Sequence, residues 1–288
     1  MFLLTIALLA GFSFAPQSSA TLAPGSKAAA DEAQQAFTKG NDALKANQPD
    51  KALESFDRAL SLAPVNPEYH LGKCHALAAL GKHNQAIPEC SEALRLRPAY
   101  ADALRDRGHY YLNLGNVAAG LADLRKAEKI APNDRGVYYH LGVGNYIKGD
   151  FAAAANAFQK CLDLGKQSDE TTECIAWLYP SLFRAGRKQD AAALLARFQP
   201  DPKLIGHPVW YQDRILLMKG DKKEEELLPE MNSEGNLSVT SVAYSIGLWH
   251  LLNGRNDKAK EYFEKAVATK YTPPWGYRCS ESELKRMK

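Results

Sequence analysis

The 288-residue sequence is short of several things, and each shortage excludes a class. Charge of either sign is not in excess: 36 basic and 33 acidic side chains leave a net +3. That balance excludes the basic footprint that DNA or RNA binding requires. Five cysteines are too few to build a disulfide-dense fold, and an odd number cannot all pair. The apolar run from Phe2 to Phe14, ~13 residues, falls short of the ~20 that a membrane-spanning helix needs. None of His70, His75, His83, His109, His140, His207 and His250 sits in an H-E-x-x-H helix or a zinc spacing. Gly142-Val-Gly144 lacks a third glycine and a preceding strand, and no P-loop or G-x-S-x-G elbow occurs. Ser282-Glu-Leu-Lys285 spells S-x-x-K without its companion motifs and is read as chance. The sequence therefore offers no catalytic residue, no metal site and no cofactor. What it does have is 45% apolar and 24% charged residues, the ordinary mix of a soluble globular protein.

Met1 to Ala20 carries no charge, and Pro16-Gln17 ends its apolar run. Ser18-Ser19-Ala20 supplies the small residues before a signal-peptidase cut. Residues 1–20 are read as a signal peptide cleaved after Ala20, which predicts a periplasmic or secreted protein with no stable membrane span after cleavage. A Lys or Arg near Met1 is missing, so an uncleaved anchor is the alternative. Phe12 stands where a lipid-anchor Cys would follow Leu8-Leu9-Ala10-Gly11. Residues 21–30 read as a flexible lead-in.

A period of 34 runs through the rest. Pro64, Pro98 and Pro132 are 34 apart, as are Asn47, Gly81, Gly115 and Gly149. After a slip of three residues the ladder resumes at Gly186, Gly220 and Gly254. Gly and Asn tolerate the left-handed backbone at the end of a helix. Other columns keep step. Seven residues before each rung come Gly40, Cys74, Gly108, Gly142, Tyr179, Asp213 and Gly247. Nine after come Phe56, Cys90, Leu124, Phe158, Leu195, Pro229 and Phe263. Small residues opposite large apolar ones describe two antiparallel helices in close approach.

This pattern resembles the tetratricopeptide repeat (TPR) family, most clearly at Ala52-Leu-Glu-Ser-Phe-Asp-Arg-Ala59 with Pro64 and at Ala259-Lys-Glu-Tyr-Phe-Glu-Lys-Ala266. The resemblance implies an all-α fold, an α-solenoid of about seven helical hairpins over residues 31–271. A short capping helix is expected within the tail, 272–288, opened by a capping box at Ser280-Glu-Ser-Glu283 and covering the last repeat with Leu284 and Met287. The sixth repeat, about 206–239, is weak because Glu225, Pro229 and Asn232 break its columns. Pro180 predicts a kink in the fifth. The layout is also similar to the NlpI-like TPR lipoproteins of the bacterial envelope. That implies an adaptor role, although the missing anchor Cys means outer-membrane tethering does not carry over.

In TPR proteins, ligand-contacting side chains project from two columns of each first helix. The first column here reads Phe37, Leu71, Arg105, Tyr139, Ala176, Trp210 and Tyr244. The second reads Asn41, His75, His109, Val143, Pro180, Arg214 and Leu248. Four aromatics in one column point to a groove gripping apolar or aromatic groups, with Arg105 or Arg214 pairing an acidic one. The plainer reading is that many of these pack between repeats. The carboxylate clamp of cytosolic TPR co-chaperones maps onto Phe37, Asn41, Gly72, Asp102 and Asp106; only Asn41 agrees, so that reading is rejected. His75 and His109 share a column and are read as polar groove residues rather than as metal ligands. Asp102 with Asp106, the one suggestive carboxylate pair, is read as solvated or partner-binding charge.

Cys74 and Cys90 lie in facing columns of the second hairpin, and Cys161 and Cys174 near the junction of the fourth and fifth. In an oxidising compartment either pair closes a loop of ~15 residues, worth ~3 kcal/mol by chain entropy. The alternative is that Cys merely replaces a small apolar residue. Cys279 is left unpaired. The expectation is a non-catalytic scaffold or adaptor holding a protein or peptide in its groove. The alternative is a structural module that assembles or homo-oligomerises through the aromatic column.

Overall fold

The computed structural model describes residues 26–288. The expected signal peptide and its cleavage point lie outside the described residues. Among those described there are fifteen α-helices and no strands. They run as antiparallel pairs: α1 (Lys27–Lys45) with α2 (Pro49–Leu62), α3 (Pro67–Ala79) with α4 (His83–Leu96), α5 (Ala101–Asn113) with α6 (Val117–Ile130), and α7 (Arg135–Lys148) with α8 (Phe151–Leu164). Then come α9 (Ser168–Arg184) with α10 (Lys188–Arg197), α11 (His207–Lys219), α12 (Glu224–Leu227) with a 3-10 turn (Pro229–Asn232), α13 (Asn236–Leu252) with α14 (Asn256–Ala268), and α15 (Trp275–Arg286). α1 begins inside the stretch expected as a lead-in, because Ser26 caps it with its hydroxyl accepting from Ala29 N at 3.1 Å.

The ladder of turns has a direct backbone cause. Asn47, Gly81, Gly115, Gly149, Gly186, Gly220 and Gly254 all have φ between 53° and 91°. Each lets the first helix of a hairpin stop and the second start within about three residues. The facing columns meet in the same way in four hairpins. A Cβ on Gly142 would sit 2.6 Å from Phe158 Cε1, and one on Gly40 would sit 2.6 Å from Phe56 Cε1. Phe56, Phe158 and Phe263 are completely buried against these glycine faces, each worth about 1.5–3 kcal/mol of apolar transfer. In the second hairpin the same two columns hold Cys74 and Cys90, and a disulfide with Cα atoms 5.5 Å apart takes the place of the Gly–Phe contact. A second disulfide, Cys161–Cys174, ties α8 to α9 across the three-residue slip. Cys279 is free and buried.

Two local departures have sequence causes. The second helix of the sixth unit shrinks to α12 and the 3-10 turn, because Pro229 lacks the N–H a continuing helix would use. Lys222 holds this irregular segment, reaching Asp213 at 2.8 Å and Glu230 at 2.9 Å. α9, by contrast, is helical from end to end, with Pro180 inside it.

Candidate functional site: a groove half filled by its own chain

The tail differs most from the sequence expectation. α15 starts at Trp275, so Ser280 and Glu283 lie inside it and are buried, and they open nothing. Beyond covering α13 and α14, it reaches back along the concave side to the third and fourth hairpins. Trp275 lies 5.2 Å from the ring of His109 and 5.9 Å from that of His140. Arg278 Nε donates to the Asn113 carbonyl at 2.6 Å. Arg286 donates to the carbonyls of Tyr146 (2.9 Å) and Ile147 (2.6 Å), capping the C-terminal end of α7. Glu283, 1% exposed, is bonded to both Arg184 and Arg286.

This strap and the helices it packs on decide where the expected groove residues end up. Tyr139, Val143, Trp210, Arg214, Tyr244 and Leu248 are buried. Tyr244 stacks on Trp177 at 5.5 Å. Arg214 is enclosed by the rings of Trp177 (4.8 Å), Tyr211 (5.3 Å) and Tyr244 (5.0 Å), and its Nε donates to Ser245 Oγ. These six side chains belong to the packed interior, which corrects the expectation of a continuous open groove. The paired columns assume that every first helix faces solvent; in the C-terminal half that condition is removed by the packing of α11 against α9 and α13 together with α15 over α13 and α7.

The N-terminal half stays open. A cavity of about 350 Å³ is lined by Phe37, Asn41, Leu71, His75, Tyr100 and Arg105, with Glu68 and Asp102 at its rim. Five of these six come from the two expected columns; Tyr100, just before α5, was missed because it lies outside both. Leu71 is itself largely buried and forms the floor. Arg105 is committed internally, bonding Asp102 (2.9 Å), Asp106 (2.9 Å) and Asp134 (2.8 Å). Asp134 also caps α7, so this cluster locks the third hairpin to the fourth. His75 Nε2 lies 2.7 Å from Asp106. Burial pushes the Asp106 carboxyl up, but His75 and Arg105 outweigh it and hold it below the ordinary carboxylate range. Asp102 and Asp106 are both engaged by Arg105, and Asp106 also by His75, so the pair serves the joint between the third and fourth hairpins.

His75 and His109 have different partners. His109 stacks on His140, ring centroids 4.5 Å apart. Burial keeps both imidazoles uncharged, His109 well below its ordinary value and His140 at about 3. They border a second cavity, of about 430 Å³, together with Tyr139, Glu173, Tyr211 and Trp275. Glu173 escaped the column reading for a countable reason. It stands 34 residues after Tyr139, where the unbroken period places it, whereas the slip-corrected count chose Ala176. Among the described residues no group of three or more His, Cys, Asp or Glu side chains could hold a metal ion. No described helix is long and apolar enough to cross a membrane.

Tetratricopeptide repeat models match residues 37–101, 75–135, 105–169 and 240–271, more than half of the sequence. The chain belongs to the tetratricopeptide repeat family. Members of this family commonly act as protein-binding scaffolds and are generally not catalytic. The chain is 39% identical over 93 residues to the TPR repeat-containing thioredoxin TTL4 of Arabidopsis thaliana, covering 32% of this chain and 14% of that protein. It is 29% identical over 105 residues to an Hsp70-Hsp90 organizing protein of Triticum aestivum, covering 36% of this chain and 18% of that one. It therefore spans under a fifth of either relative. Among solved structures it is similar to PilF of Pseudomonas aeruginosa, with TM-score 0.54 at 15% identity, covering 91% of this chain and all of that one. It is also similar to the APC/C hetero-tetramer Cut9-Hcn1, with TM-score 0.54 at 19% identity, covering 89% and 43%. At these identities the likeness is one of fold.

Proposed function

We propose that this TPR protein is a non-catalytic adaptor that holds an extended or helical segment of another protein in the N-terminal half of its groove. The observation that carries this reading is the split groove: α15 lies along the C-terminal half and leaves there only the ring-lined cavity beside Trp275, while the cavity at Phe37, Asn41, His75 and Tyr100 stays uncovered by the strap. Its chemistry selects the partner. Arg105 is already neutralised by three aspartates, and Asp102 and Glu68 stand at the rim, so a terminal carboxylate is repelled. A segment with an apolar or aromatic anchor and a basic flank suits it. The expected compartment is the bacterial periplasm or envelope, and two disulfides suit an oxidising one. Assembly through the aromatic column is disfavoured, because Tyr139, Trp210 and Tyr244 are packed inside the chain.

The test is capture from envelope extract by the wild-type chain and by an Asn41→Ala, Tyr100→Ala double variant. Both residues are partly exposed, so the variant should fold. Loss of specific partners by the variant is the expected result, and equal capture refutes the reading.

A further inference from the structure

The second cavity has a composition of its own. Five aromatic rings line it, from His109, Tyr139, His140, Tyr211 and Trp275, and Glu173 is its charged member. The Tyr139 and Tyr211 hydroxyls lie 3.3 Å apart. Burial pushes the Glu173 carboxyl up, with Tyr139 and Arg135 pulling against that. Arg135 does not serve Glu173 alone: its guanidinium lies 3.2 Å from Glu173 and 3.6 Å from Glu170. Asp169 adds further negative charge to the same turn of α9. One cation is thus shared between two acids with a third beside them, and the neutral histidines add no positive charge. Arg214 faces Tyr211 from within the interior, and Arg105 is outnumbered by its own three aspartates.

Aromatic rings around a carboxylate attract a cation in two ways, through the ring quadrupoles and through direct charge. The volume falls within the range of small-molecule sites, about 300–1,000 Å³. We infer that this cavity is a binding site for an alkylammonium group of the trimethylammonium type, separate from the N-terminal groove and completed by Trp275 of the strap.

The experiment is calorimetric titration of the full chain with choline chloride and with 3,3-dimethylbutan-1-ol, its uncharged isostere. Choline should bind about tenfold or more tightly than the isostere, since shape is shared and only charge differs. Glu173→Gln should weaken choline by about tenfold while leaving the isostere unchanged. A trimethyllysine peptide forms a third arm. Tighter binding of the peptide identifies a protein side chain as the source, and tighter binding of choline a free amine. Equal affinity for choline and its isostere overturns the inference. So does an unchanged choline affinity in folded Glu173→Gln, or absence of heat with choline up to about 50 mM. If Glu173→Gln does not fold, the wild-type comparison of choline with its isostere still decides.

Discussion

Glu283→Gln tests whether α15 is a clasp or merely the last helix. The carboxylate is 1% exposed and is bonded to Arg184 and Arg286, whose side chains are 16% and 25% exposed. Removing one partner of a buried ion pair typically costs about 3–5 kcal/mol, because the opposite charge is left uncompensated. Here two features reduce that. The Arg184 guanidinium sits 3.8 Å over the Phe151 ring, which retains part of its stabilisation. Arg286 keeps its bonds to the Tyr146 and Ile147 carbonyls. A loss of about 2–3 kcal/mol is the reasoned figure. Where it appears follows from the architecture. α15 is terminal, and its long-range contacts reach only the third to fifth hairpins, so the loss should be confined to α15 and the helix ends it meets. Hydrogen exchange across residues 275–286 should accelerate by about 30- to 150-fold, with the facing part of α7 following it. The first two hairpins should not change. Exchange in α15 unchanged within about threefold, whether or not global stability falls, would refute the clasp.

Replacing Cys74 and Cys90 by Ser should cost about 3 kcal/mol in the second hairpin, and the same pair of changes at Cys161 and Cys174 a similar amount at the α8–α9 joint. Denaturant titration with and without reductant reads this, and the wild type should lose what the variants lack. Acid should destabilise the chain well above the carboxylate range. His140, at about 3 in the fold by burial and by Arg105, returns to about 6.5 when unfolded, so the unfolded chain binds the extra proton between those values. Its contribution is intact above pH ~6.5 and falls by up to ~1.4 kcal/mol per unit below it, or roughly 2 kcal/mol by pH 5. His140→Gln should flatten that slope in denaturant midpoints measured from pH 7.5 to 5; an unchanged slope would remove His140 as its source.

The repeat frame was legible because its causes are local. A left-handed turn, a glycine face and a bulky apolar residue recur at fixed offsets, and each can be read within one 34-residue unit. The N-terminal cavity was legible for the same reason, since Phe37, Asn41, Leu71, His75 and Arg105 keep their columns where nothing covers them. The closed half depends on contacts between α15 and residues about 140–165 positions earlier, which no period encodes. A weaker signal was present. Trp275, Cys279, Ser282, Glu283 and Arg286 fall at helical spacing on one face, too polar to count as a cap's apolar stripe. Such a face is what a strap requires, because the surface it meets is mixed: the apolar faces of α13 and Trp177, the arginine of α9, and the unsatisfied carbonyls at the ends of α5 and α7. Arg278 and Arg286 bond backbone carbonyls that any sequence would present at a helix C-terminus. Recognition of the groove by the strap therefore reads helix ends more than side chains. A partner segment entering the same half would need two cations one helical repeat apart to replace it, whereas the N-terminal cavity makes no such demand. That difference in chemistry separates a self-filled half from a half open to other proteins.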